Sequence, residues 1–195
     1  LRQALERKYG REEAAGRIVC CGTRGASLHE IAQTEGYHFI PFPDNIGGRF
    51  SFLSSVGLLP VAVAGLDITQ FAAGARAERQ AMLGASSAEA DVFEYAAWRN
   101  KLYTEGYKLE ILASFEPRLA GFSKWWIQLF AESEGKDGKG LYPQAVNYSE
   151  DLHSVGQYIQ DGAPILLETF LQIAGVDRDV IVQADRLDDG FGYLD

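Results

Sequence analysis

With 195 residues, 47% of them hydrophobic and 12% aromatic, the chain can bury the core of one large domain or parts of two, and the composition is that of a folded rather than a disordered chain. A net charge of −9 argues against a general nucleic-acid binder, which needs a basic face. It also makes any anion site a local construction of a few cations and backbone amides. No apolar run reaches membrane-spanning length and no secretory leader is recognisable, so no membrane partner and a cytoplasmic location are expected.

In chain order, LRQALERKYGREEAAGR reads as a surface helix or helix pair broken at Gly10 and Gly16. IVCC is a buried strand. Its neighbours Cys20 and Cys21 are too close in sequence for an unstrained disulfide and lack ligand spacing, so they read as small core residues of a reducing compartment, with no metal. ASLHEIAQTEG places Leu28, Ile31 and Ala32 on one helical face, and YHFIPF is the next strand. Strand, helix, strand predicts an α/β fold with a parallel sheet and right-handed crossovers.

A glycine pair, Gly47-Gly48, then precedes Arg49. Glycine is worth its entropy where the chain needs unusual dihedrals or a ligand approaches the main chain, and arginine offers a planar cationic fork for an oxyanion. Arginines after glycine turns often form only surface ion pairs. At the carboxyl edge of a parallel sheet, however, the position is where open α/β folds bind ligands. The apolar segment from Val56 to Ile68 predicts a buried helix, and DITQFAAGARAERQAML an amphipathic one. Residues 84–87 read as a connector ending in an N-cap serine, followed by the helix AEADVFEYAAWRNKLYTEG, which sets a domain boundary near Gly84.

KLEILASF opens a second α/β unit and EPRLAGFSKWWIQLFAES is its helix. On that helix Trp125, Leu129 and Glu132 share a face, and Gln128 lies one turn before Glu132. A carboxylate so placed, if partly desolvated, has the raised pKa of a general base; the bland alternative is a solvated helix end. Glu134 points to solvent. EGKDGKGLYPQAVNY reads as a long loop, without the strand and spacing of a phosphate loop. Ser149 is the expected cap of EDLHSVGQYIQDG, whose first turn carries His153, placed either to exchange protons at a cleft rim or as an ordinary surface residue. His29 and His38 have no comparable setting. APILLETFLQI and VIVQ are further strands.

DNIGGRFSFLSSVG and QLFAESEGKDGKGLYPQAVNYSEDLHSVGQYIQDG together resemble the phosphoglucose isomerase (glucose-6-phosphate isomerase) family, bacterial branch, and the resemblance covers nearly the whole chain. It implies a three-layer sandwich with a parallel sheet of the sugar isomerase (SIS) type. Residues 1–84 would be the later part of one SIS domain and 85–195 most of a second. It implies interconversion of glucose 6-phosphate and fructose 6-phosphate through a cis-enediolate, without metal or cofactor. Glu132 would be the base between C2 and C1, Arg49 the group that steadies the enediolate, and Gly48 a nearby amide. Gln128 would contact substrate, and His153 would assist ring opening from the other subunit of a homodimer. The family's Ser/Thr phosphate loop would precede Leu1 and its lysine-bearing helix would follow Asp195, so the chain alone is expected not to isomerise sugar. A non-catalytic sugar-phosphate sensor of the same fold, or an interaction fragment with no ligand, are the other readings.

Overall fold

The computed structural model describes residues 1–84 and 91–175. The chain divides into two compact units, Leu1–Glu105 and the residues from Gly106 onward. This division places the helix that follows the 84–87 connector with the first unit.

The first unit opens with α1 (Arg2–Tyr9) and α2 (Arg11–Gly16), separated by Gly10 at φ 80°. Strand β1 (Val19–Gly22) is followed by α3 (Ser27–Glu35), which stops at the left-handed Gly36, and by β2 (His38–Pro41). The two strands pair in parallel, with Cys20 opposite Phe39. Cys20 is buried and both thiols are free. A 3-10 turn over Gly48–Leu53 leads into α4 (Ser55–Val63).

The apolar segment from Val56 to Ile68 is not one buried helix. It breaks after Val63 at Gly65, φ 82°, and a new helix, α5 (Ile68–Gly84), begins where Asp67 Oδ1 accepts the Thr69 amide at 2.8 Å. None of α4 is fully buried, and Val56, Val63 and Leu66 are exposed. Helix α6 (Asp91–Thr104) completes the unit. The serine cap proposed before it, the VIVQ strand and the C-terminal tail lie outside the described residues.

The second unit holds β3 (Leu109–Ser114), a 3-10 turn at Pro117–Leu119, α7 (Ala120–Glu134), β4 (Tyr142–Asn147), α8 (Tyr148–Asp161) and β5 (Leu166–Phe170). All pairings are parallel and the spatial order is β4-β3-β5. Strand β4 falls inside the stretch read as a loop. Its Pro143 disguises it, yet an edge strand tolerates a missing N–H on its outer side. As the central strand, β3 is buried almost throughout, including Glu110, which is fully enclosed and accepts a hydrogen bond from Thr169 Oγ1 at 3.1 Å.

The crossover from β3 to β4 moves one way along the sheet and that from β4 to β5 the other way. Right-handed connections therefore put α7 and α8 on opposite faces. Side-chain alternation agrees: Ile111, Ala113 and Val146 form a core against Tyr148 and Ile159 of α8, which leaves Leu112 and Ser114 to the α7 face.

Candidate functional site

Gly47 and Gly48 follow β2 through a short loop, at the carboxyl edge of the first unit's sheet. The pair does not serve unusual dihedrals. Gly47 sits at φ −71° as the extended residue before the 3-10 turn, and neither glycine has positive φ. What the pair supplies is room: a Cβ on Gly48 would meet nothing within 4 Å. The half-buried Arg49 lays its guanidinium over the Phe50 ring, 4.9 Å from the centroid. The turn is tied to the strand by Ser55 Oγ, which donates to the Pro41 carbonyl at 3.1 Å.

In the second unit, α7 brings Gln128 and Glu132 together, and Gln128 Nε2 donates to Glu132 Oε2 at 3.3 Å. Glu132 is exposed, as the solvated alternative has it, and Glu134, expected to face solvent, is half-buried. With the indole of Trp125 itself partly exposed, the apolar face that Glu132 shares does not enclose it. The loop that leaves α7 needs glycine at Gly140, φ 104°, where a Cβ would stand 2.8 Å from the Glu134 carbonyl oxygen.

His153 is exposed in the second turn of α8, not the first. The cap of α8 is Asn147 rather than Ser149: Asn147 Oδ1 accepts the Ser149 amide at 3.3 Å, while Ser149 Oγ donates to the Phe115 carbonyl at 2.7 Å. An adjacent asparagine on the last strand residue supplies the cap first, which leaves the serine hydroxyl for the neighbouring strand end. His29, by contrast, accepts the Gly25 amide at Nδ1, 3.0 Å away, and packs on Phe39, a structural role.

The second unit does not bring Glu132 and His153 to one ligand. Both α7 and α8 start at the carboxyl edge of the sheet. Glu132 lies about 18 Å down α7 from Ala120, and His153 about 8 Å down α8 from Tyr148, at 1.5 Å per residue. They also sit on opposite faces. Hydrophobic periodicity reveals neither fact, since both depend on strand order.

Comparison with known proteins gives one consistent family. The family model of phosphoglucose isomerase matches residues 1–163. Over 197 aligned residues the chain is 48% identical to a glucose-6-phosphate isomerase of Latilactobacillus sakei subsp. sakei (strain 23K), covering 100% of this chain and 44% of that protein. It is also 48% identical, over 196 residues, to the same-named protein of Shouchella clausii (strain KSM-K16), covering 99% of this chain and 43% of the relative. Among solved structures it resembles a hypothetical protein from Thermus thermophilus, with a TM-score of 0.84 and 25% identity over 98% of this chain and 48% of that one. The chain thus spans under half the length of the curated relatives it matches.

Proposed function

Because this chain belongs to the phosphoglucose isomerase family, we propose that the protein carrying it interconverts glucose 6-phosphate and fructose 6-phosphate in the cytoplasm, through a cis-enediolate and with parts of two SIS domains supplied here. Glu132 takes the proton from C2 of the open-chain aldose and returns it to C1. Gln128, donating to Oε2 from one helical turn away, fixes the carboxylate's rotamer, and this hydrogen bond is the observation that carries the reading. Charge left on the two substrate oxygens is met by Arg49, with the open space over Gly48 letting the sugar reach the main chain.

His153 assists ring opening in a site whose base belongs to the other subunit. The opposite-face placement of α7 and α8 supports this: a His153 serving the Glu132 of its own unit would have to act through the sheet. A symmetric dimer removes the difficulty, since two copies of an isologous contact exchange the two residues.

The test is Glu132→Gln in the full-length protein. A general base contributes roughly 10²–10⁴-fold, so isomerisation falls by that factor while fructose 6-phosphate still binds. Retained turnover would reject Glu132 as the base, whereas fructose 6-phosphate binding without any turnover by the wild type would favour a protein that binds sugar phosphate without converting it.

A further inference from the structure

The loop that leaves α7 begins Gly135-Lys136-Asp137-Gly138-Lys139-Gly140, a stretch to which the isomerase reading gives no role. Asp137 and Gly138 are the central residues of a tight turn, closed where the Lys139 amide donates to the Lys136 carbonyl at 2.9 Å. Their φ values are 54° and 69°, the mark of a type I′ turn. Asp137 is the one non-glycine residue with positive φ among the described residues. An L residue adopts that region only at a cost.

Glycine has no Cβ to shield its backbone nitrogen, so an aspartyl-glycyl pair depends on its surroundings for protection. This pair has none. Asp137 and Gly138 are both exposed, and a Cβ on Gly138 would meet nothing within 4 Å. The Asp137 carboxyl and the Gly138 amide have no hydrogen-bond partner among the described residues. Asp161-Gly162 has the same sequence in the opposite setting: it ends α8, and the Gly162 amide donates to the Tyr158 carbonyl at 2.8 Å. A third pair, Asp189-Gly190, lies outside the described residues.

We propose that Asp137 is a site of spontaneous isoaspartate formation. The Gly138 nitrogen attacks the side-chain carboxyl carbon of Asp137. The amide proton and the carboxyl hydroxyl leave as one water, which closes a five-membered succinimide. A second water opens the ring. Attack at the side-chain carbonyl restores aspartate. Attack at the main-chain carbonyl breaks the original peptide bond and leaves the chain running through Cβ and the former carboxyl carbon. One water leaves and one enters, so no oxidant or reductant is needed. The product carries one extra backbone atom.

The loop has no slack to absorb that atom. The Lys136 amide donates to the Glu134 carbonyl at 2.7 Å, and a Cβ on Gly140 would stand 2.8 Å from the same oxygen. Lengthening the chain at residue 137 therefore displaces the last turn of α7, which carries Glu132. This consequence rests on the role given to Glu132 as the base. Turnover declines as residue 137 converts.

The experiment keeps the full-length protein for several weeks at physiological temperature in neutral buffer made with oxygen-18 water. Peptide mapping with electron-transfer fragmentation then locates solvent oxygen and isoaspartate residue by residue. Residue 137 is expected to convert roughly ten-fold faster than residue 161, the factor that the hydrogen bond on the Gly162 amide represents. Asp137→Gly suits the positive φ and has no carboxyl to cyclise. It should start with wild-type turnover and hold it, while the wild type loses turnover in step with its isoaspartate content. The site is overturned if residue 137 takes up no solvent oxygen, or converts no faster than residue 161. Conversion at 137 with undiminished turnover would overturn the effect on Glu132. A wild type that never isomerises sugar phosphate would count against the isomerase reading, and the mass of the peptide holding residue 137 would still decide the site.

Discussion

Gly57 lies in the first turns of α4, directly behind the turn that carries Arg49. A Cβ there would stand 2.7 Å from both the Cα and the carbonyl carbon of Phe52, and closer still to the carbonyl oxygen. These are backbone atoms of the 3-10 turn and cannot rotate away. In an open helix, Gly→Ala gains roughly 0.5–1 kcal/mol, but forcing a methyl into packed backbone costs about 1–3 kcal/mol. The clash wins, and Gly57→Ala is expected to destabilise the protein by roughly 1–2 kcal/mol. Gly74, in the middle of α5 with nothing within 4 Å of an added Cβ, is the control. Gly74→Ala should stabilise by roughly 0.5–1 kcal/mol. Urea denaturation of both full-length variants reads the two signs. Relief of the clash in G57A displaces the Arg49 turn, so kcat/KM for fructose 6-phosphate should fall roughly ten-fold or more, since small misplacements of a catalytic group are expensive. A G57A protein as stable and as active as G74A would refute the reasoning.

Two further expectations rest on single contacts. Arg118 holds the Glu116 carboxyl at about 2, below its ordinary 4.5, by side-chain and backbone hydrogen bonds; the contribution of that contact is therefore complete above the ordinary value and lost as pH falls toward 2. Carboxyl NMR titration should find the Glu116 midpoint near 2 in the wild type and raised toward 4.5, without reaching it, in Arg118→Gln, which keeps the residue-118 amide donor; an unmoved midpoint would contradict the assignment. Thr169→Val keeps the side-chain shape and removes one donor to the buried Glu110. Urea denaturation should show a loss of about 1–3 kcal/mol, and an unchanged midpoint would mean that Glu110 does not depend on Thr169.

What the sequence made legible was local. The alternation of IVCC, ASLHEIAQTEG and YHFIPF was enough for a parallel β-α-β unit, although of the residues read as its core only Cys20 and Ala32 are buried while Val19, Leu28 and Ile31 stay exposed. Gln128 and Glu132 were placed together by helical spacing alone. What stayed hidden depends on partners distant in the chain. Strand β4 was masked by Pro143, whose tolerance comes from lying at the sheet edge. Glu110 sat unnoticed in an apolar strand because its donor, Thr169, is 59 residues away. The capping role falls to Asn147 because α8 begins at Tyr148, which puts Ser149 inside the helix and leaves its hydroxyl to the carbonyl of Phe115, 34 residues earlier.

The sharpest test mixes two inactive full-length variants, Glu132→Gln and His153→Asn, after unfolding and refolding them together in equal amounts. If base and histidine come from different subunits of a symmetric dimer, half the dimers are mixed and each has one intact site, so activity returns to about a quarter of wild type. Activity that stays at the level of the separate variants, with mixed dimers demonstrated by native mass spectrometry, would contradict the shared site and with it the roles given to both residues.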